Sequence, residues 1–217
     1  MDKNKILEII NANFEDAVEV EINDEIYEIC RDFAEKVNPT TKYGDCGQNN
    51  MNKRLIDNLI GKIAEFSTYA ILNKIGRNNE FILDMPDISI YKGRQKTWKS
   101  DLSIKADDGE INIAVKSQSV SQAKKYSLSG TFQISATRSD KVFEKQDELI
   151  FLCLVDDINN DGKKTLILPP KTIGNIKFSD PKLPKYKGVK TCYYARENFE
   201  EETLQTWLDK FGAEKVK

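Results

Sequence analysis

The sequence predicts one α/β domain, a mixed sheet of about five or six strands flanked by helices. Three observations predict it. Apolar residues recur at helical spacing in residues 3–36 and 52–75. Two short alternating segments joined by an Asp-Gly turn fill Ser100 to Gln118. A continuous apolar run, ELIFLCLV from Glu148 to Val155, has the length of a strand buried on both faces.

Taken in order, residues 3–36 read as helix in two pieces. Ile6, Leu7, Ile9 and Ile10 begin an apolar stripe that Val18, Ile22, Ile26, Ile29 and Phe33 continue at spacings of three and four. Asn38 to Asn50 reads as a loop, broken by Pro39, Gly44 and Gly47. Residues 1–50 thus form a helical N-terminal arm, a support or a dimer arm. The second helix carries Leu55, Leu59, Ile63, Phe66, Ala70 and Ile71 on one face, with Glu65 beside it and Gly76 as a C-terminal stop. Phe81 to Leu83 and Ile88 to Tyr91 are short strand candidates separated by Pro86.

In the hairpin, Leu102 and Ile104 alternate with Asp101 and Ser103, and Ile111, Ile113 and Val115 follow a turn at Asp107, Asp108 and Gly109. Side chains two apart share a strand face, so one face meets a core and the other carries Asp101, position 114 and Lys116. Ser119 to Ser139 is polar. Asn159 to Gly162 makes a turn, Thr165 to Leu168 a strand, residues 171–190 irregular Lys- and Pro-rich chain, and Thr191 to Tyr194 a strand. Leu204, Trp207, Leu208 and Phe211 mark a terminal helix over Glu200 to Phe211. The domain spans residues 1–217, with a core at 52–155 and C-terminal strands and a helix at 156–217.

Composition narrows the chemistry. The 217 residues include no histidine, which removes His-based triads, His general bases and most zinc sites. The four cysteines have no CxxC spacing, and Cys153 in the apolar run reads as a buried thiol. With no signal peptide or long apolar span, the expectation is a cytoplasmic protein with no membrane contact. The net charge of −2 speaks against nucleic acid, but the charges are segregated. Lys92, Arg94, Lys96, Lys99 and Lys105 surround Asp101, and Lys116 to Ser139 contains Lys124, Lys125 and Arg138 with no acid. Such a distribution suits a phosphate-binding face, or equally a set of solvated strand edges.

A carboxylate and an ammonium on adjacent strands can bind a divalent cation and position a water for phosphodiester hydrolysis. They can also be an ordinary cross-strand ion pair. The arrangement resembles the PD-(D/E)xK nuclease superfamily, to which most type II restriction endonucleases belong. Asp101 matches the Asp that opens one strand of that motif, and Val115 and Lys116 match its x-K. Glu65, on a helix before the strands, matches an acid that often joins the family's metal site. Pro86-Asp87 offers a rival register, disfavoured because Asp87 lies farther along the chain from Lys116.

The resemblance implies a restriction-endonuclease-like mixed β-sheet and Mg²⁺-dependent cleavage of double-stranded DNA at a short site, with Mn²⁺ able to substitute. It implies a homodimer, metal ligation by Asp101, Glu65 and the Val115 carbonyl, and a catalytic role for Lys116 in orienting or deprotonating water. Lys99, Gln118, Gln122, Lys124, Lys125, Gln133 and Arg138 are the candidate DNA contacts, since Gln and Arg pair bidentately with base edges.

Ala114 stands where the family has Asp or Glu. Three explanations stay open: sufficiency of the remaining ligands, replacement of a carboxylate, or a DNA-binding relative without activity. If position 114 faces the metal, an acid placed there should tighten metal binding. The alternative class is a non-catalytic DNA-binding or protein-interaction module.

Overall fold

The computed structural model describes the backbone of residues 1–40, 50–91, 100–125, 132–135, 147–157, 162–176, 178–179, 191–194, 205–207, 209 and 211. The architecture is mixed α/β, a curled mixed sheet with helices against it. The elements run α1 (Lys3–Asn13), β1 (Val18–Glu21), α2 (Asp24–Val37), α3 (Met51–Asn79), β2 (Ile82–Leu83), β3 (Leu102–Ala106) and β4 (Gly109–Ser119). They continue with α4 (Val120–Lys125), β5 (Phe132–Ser135), β6 (Leu149–Val155), β7 (Lys164–Ile167), β8 (Lys171–Thr172), β9 (Phe178–Ser179) and β10 (Thr191–Tyr194). Residues 205–207, 209 and 211 are helical.

Seven strands form the main sheet in the order β1-β7-β6-β4-β3-β2, with β8 also on β6. β4 and β6 run parallel, and the other pairs are antiparallel. All seven residues of β6 are buried, as its unbroken apolar sequence predicts. Ile104, Ile113, Val115, Phe151 and Cys153 face a core built with α1, α2 and α3. Ala114, Ile150, Leu152 and Leu154 face a second cluster with Val120, Ile173 and Phe211. Both faces around the centre of β4 are therefore apolar, a correction to the one-sided hairpin read from alternation. Burial pushes the thiol of Cys153 up to about 12, with the Thr68 hydroxyl 3.5 Å away.

Other expectations change as well. The N-terminal segment is not helix alone, because VEVE at Val18–Glu21 pairs with β7 as an edge strand. Its period-two alternation is diluted by the helical spacing of the apolar residues on either side. Residues 1–40 are consequently integral to the core rather than an arm. Ile88 to Tyr91 is not a strand. A second sheet, β5-β10-β9, joins the strand expected at Thr191 to Tyr194, which is β10, to β5 and β9, two strands in chain expected to be polar or irregular. The loop at 41–49, the turn at 158–161 and the stretch 180–190 lie outside the described residues. Among the described residues, no helix is long and apolar enough to cross a membrane.

The hairpin turns at Asp107 and Asp108, with positive φ at Gly109. The N-terminal segment ties it down. The Met1 amine donates to Asp107 Oδ2 at 2.5 Å and the Lys3 N–H to Asp108 Oδ1 at 2.9 Å.

Gly76 does not stop α3, which runs on to Asn79 and ends at Glu80 in the left-handed region, φ 63. The glycine instead admits Phe81. A Cβ at position 76 would lie 2.7 Å from the Phe81 carbonyl oxygen. Gly61 of the same helix has no neighbour within 4 Å of a built Cβ. Alanine gains about 1 kcal/mol over glycine in a helix interior, whereas forced overpacking costs about 1–3 kcal/mol. Gly61→Ala is therefore expected to raise, and Gly76→Ala to lower, the midpoint of urea unfolding. Two shifts of the same sign would refute the packing role of Gly76.

Candidate active site

The ladder between β3 and β4 ends at Leu102 opposite Ile113. One residue further, the Asp101 side chain takes over the strand's work. Its Oδ2 accepts the Val115 N–H at 2.7 Å. In a hydrogen-bonded strand pair one residue turns its N–H and C=O to the same edge. The Val115 carbonyl thus lies on the edge of β4 that Asp101 occupies. Ser100 is anchored beside it, its hydroxyl donating to Asn112 Oδ1 at 3.0 Å, while Asn112 Nδ2 donates to buried Glu148 at 2.6 Å.

Helix α3 brings Glu65 to the same place. Its side chain is 17% exposed and is paired with Lys62, three residues earlier. Burial, and next the negative charge of Asp101, push the Glu65 carboxyl up to about 7, while Lys62 and Lys116 oppose the rise. Asp101 and Lys116 therefore each lie within electrostatic reach of Glu65, although the three come from a helix and two strands.

Lys62 is the residue that pattern reading passes over. Its side chain is only 6% exposed. The ammonium donates to Glu65 and, at 2.9 Å, to the Asp87 carbonyl oxygen, and it sits 4.3 Å from the centre of the Phe33 ring. A Lys three residues before a helical Glu was the available signal. The rival acid Asp87 is occupied locally. Although partial burial works the other way, hydrogen bonds from Tyr91 and Ser89 hold its carboxyl below the usual range. The Tyr91 hydroxyl donates to Oδ2 at 2.5 Å and the Ser89 N–H to Oδ1 at 2.8 Å.

Ala114 is 1% exposed within the apolar cluster of Ile150 and Leu152. The register places position 114 next in line opposite Asp101, but the position is packed among apolar side chains rather than open to a polar cleft. An acid there would be desolvated among apolar side chains.

The candidate DNA contacts are scattered. Gln118 lies on β4, its side-chain oxygen buried with no hydrogen-bond partner among the described residues. Gln122 is half-buried on α4, where its N–H donates to Ser119 Oγ at 3.3 Å. Lys124 and Lys125 end the same helix, and Gln133 lies in β5. Lys99 and Arg138 lie outside the described residues. Lys105, from the basic stretch, pairs with Asp84 at 3.5 Å.

Two carboxylates and a backbone carbonyl are hard oxygen donors, and Mg²⁺ takes one or two carboxylates with waters and phosphate oxygens completing its shell. The mutual influence of Asp101 and Glu65 marks a point of concentrated negative charge that a cation would relieve. Among the described residues, no group of three His, Cys, Asp or Glu side chains is gathered for a metal. The donor set fits Mg²⁺ as a partly hydrated ion rather than a fully caged one. A scan against protein-family models and a search of curated proteins both return no match.

A carboxyl raised in the folded state binds more protons there than in the unfolded chain. Its stabilising effect is full below the unfolded value, near 4.5, and is lost as pH rises through about 7. With chelator present, the parent is expected to lose up to about 3 kcal/mol relative to Glu65→Gln between those limits. Urea unfolding of both proteins across this range measures it. Parallel pH profiles would contradict the burial and charge assigned to Glu65.

Proposed function

We propose that this chain is a Mg²⁺-dependent endonuclease of the PD-(D/E)xK kind, with a restriction-endonuclease-like fold, cutting double-stranded DNA at a short site as a homodimer. The observation that carries this reading is the placement of Asp101 where β3 parts from β4, with Asp101 and Lys116 both acting electrostatically on Glu65. Hydrolysis of a phosphodiester needs an activated water and relief of the charge that builds on the phosphate. When bound, Mg²⁺ would supply Lewis-acid polarisation and a lowered pKa for a coordinated water. Asp101 and Glu65 would hold it, with the Val115 carbonyl as a third oxygen. Lys116 would orient the water and share the phosphate's negative charge. Glu65 stands as the second carboxylate, in place of the acid absent at 114.

Asp101→Asn keeps an oxygen that can accept the Val115 N–H, so the fold should persist. Plasmid cleavage in Mg²⁺ should fall by more than the roughly 10–100-fold that loss of an outer-sphere partner costs. Parent activity should vanish with EDTA. A folded Asp101→Asn that cuts at the parent rate would sink the assignment. Salt-sensitive DNA binding by the parent without any cleavage would favour the non-catalytic DNA-binding module instead.

Ala114→Glu separates burial from vacancy at the motif position. Burying an uncompensated polar group costs about 1–3 kcal/mol on protein mutational scales. The variant is expected to lose about that much stability and to gain no cleavage rate. A variant of unchanged stability that cleaves faster would show that position 114 reaches the metal.

A further inference from the structure

Lys62 is held by three separate parts of the chain. Phe33 belongs to α2, Glu65 to α3, and Asp87 to the segment following β2. An ammonium this deeply buried costs several kcal/mol in desolvation unless it is paired, and an apolar side chain fills such a place without that cost. Packing alone therefore does not account for a charge at this position. What the ammonium adds is directional. It engages Oε2 of Glu65 and fixes the rotamer of that carboxylate, while its second hydrogen bond clamps the Asp87 backbone against α3.

We propose that Lys62 is a positioning residue of the cleavage site, setting the Glu65 carboxylate in the orientation that receives the metal. The inference rests on the nuclease reading. In this role Lys62 touches neither metal nor DNA, its observed partners being Glu65, the Asp87 carbonyl and the Phe33 ring. Its action runs through Glu65, as outer-sphere partners orient metal ligands.

The test uses the full chain and the variants Lys62→Met and Lys62→Arg. Lys62→Met keeps an unbranched side chain and removes the charge. Both variants are first checked for parental circular dichroism. Lys62→Met should then lower kcat by roughly 10–100-fold with KM for DNA unchanged, and Lys62→Arg should recover most of the loss. A second readout needs no cleavage. In the parent, the buried ammonium should give an exchange-protected ¹⁵N signal that shifts when Mg²⁺ is added without DNA.

Parental kcat in folded Lys62→Met would overturn the proposal. So would an ammonium signal indifferent to Mg²⁺ in a parent that cleaves. Should Lys62→Met not fold, the Mg²⁺ response of the parent and the kcat of Lys62→Arg decide. A parent that neither binds Mg²⁺ nor cleaves DNA fails the nuclease reading before any variant is made, and the positioning role falls with it.

Discussion

The hydrogen bond from the Val115 N–H to Asp101 Oδ2 decides where the chemistry of this fold can sit. β4 continues for several residues beyond its pairing with β3, held on its other edge by β6. At the parting point a backbone N–H in mostly buried surroundings needs an acceptor, and leaving it unmade would cost about 1–3 kcal/mol. Asp101 supplies that acceptor from its side chain. A carboxylate is thereby fixed at the opening between two strands. One residue closes the ladder and charges the site.

The charge needs compensation, and the surroundings supply it unevenly. Val115 and Ile113 belong to the apolar core beneath, so Glu65 enters a poorly solvated space already influenced by Asp101. Lys62 and Lys116 offset part of this, Lys62 from within the helix layer and Lys116 from β4. The balance leaves Glu65 near the midpoint of its titration at neutral pH. A cation bound there would offset both the burial that chiefly raises this carboxyl and the repulsion from Asp101 that adds to it.

Much of the frame was legible because each signal was local. The unbroken apolar β6, the Asp-Gly hairpin and the long stripe of α3 each announce themselves within a dozen or so residues. β1 was lost because four alternating residues sit between two helices whose spacing overrides them. β5 and β9 were lost because they are short and depend on pairing with the distant β10, which was itself legible as a strand at Thr191 to Tyr194. At the candidate site, the choice of Asp101, Lys116 and Glu65 came from residue type and order, and the structure brings Asp101 and Lys116 within electrostatic reach of Glu65. The tie from Asp101 to the Val115 backbone could not be read that way, nor could the clasp of Lys62 on Asp87, since both depend on the path of the main chain. Ala114 was misplaced for a related reason. Alternation puts it on the face of Lys116, but only the packing of Ile150 and Leu152 shows that this face is dry at 114.

The most direct measurement is the position of a metal. A crystal of the full chain soaked in Mn²⁺, examined by anomalous scattering, should give a peak within coordination distance of carboxylate oxygens of Asp101 and Glu65 and of the Val115 carbonyl. An absent peak, or one coordinated elsewhere while those three oxygens stay bare, would contradict the account.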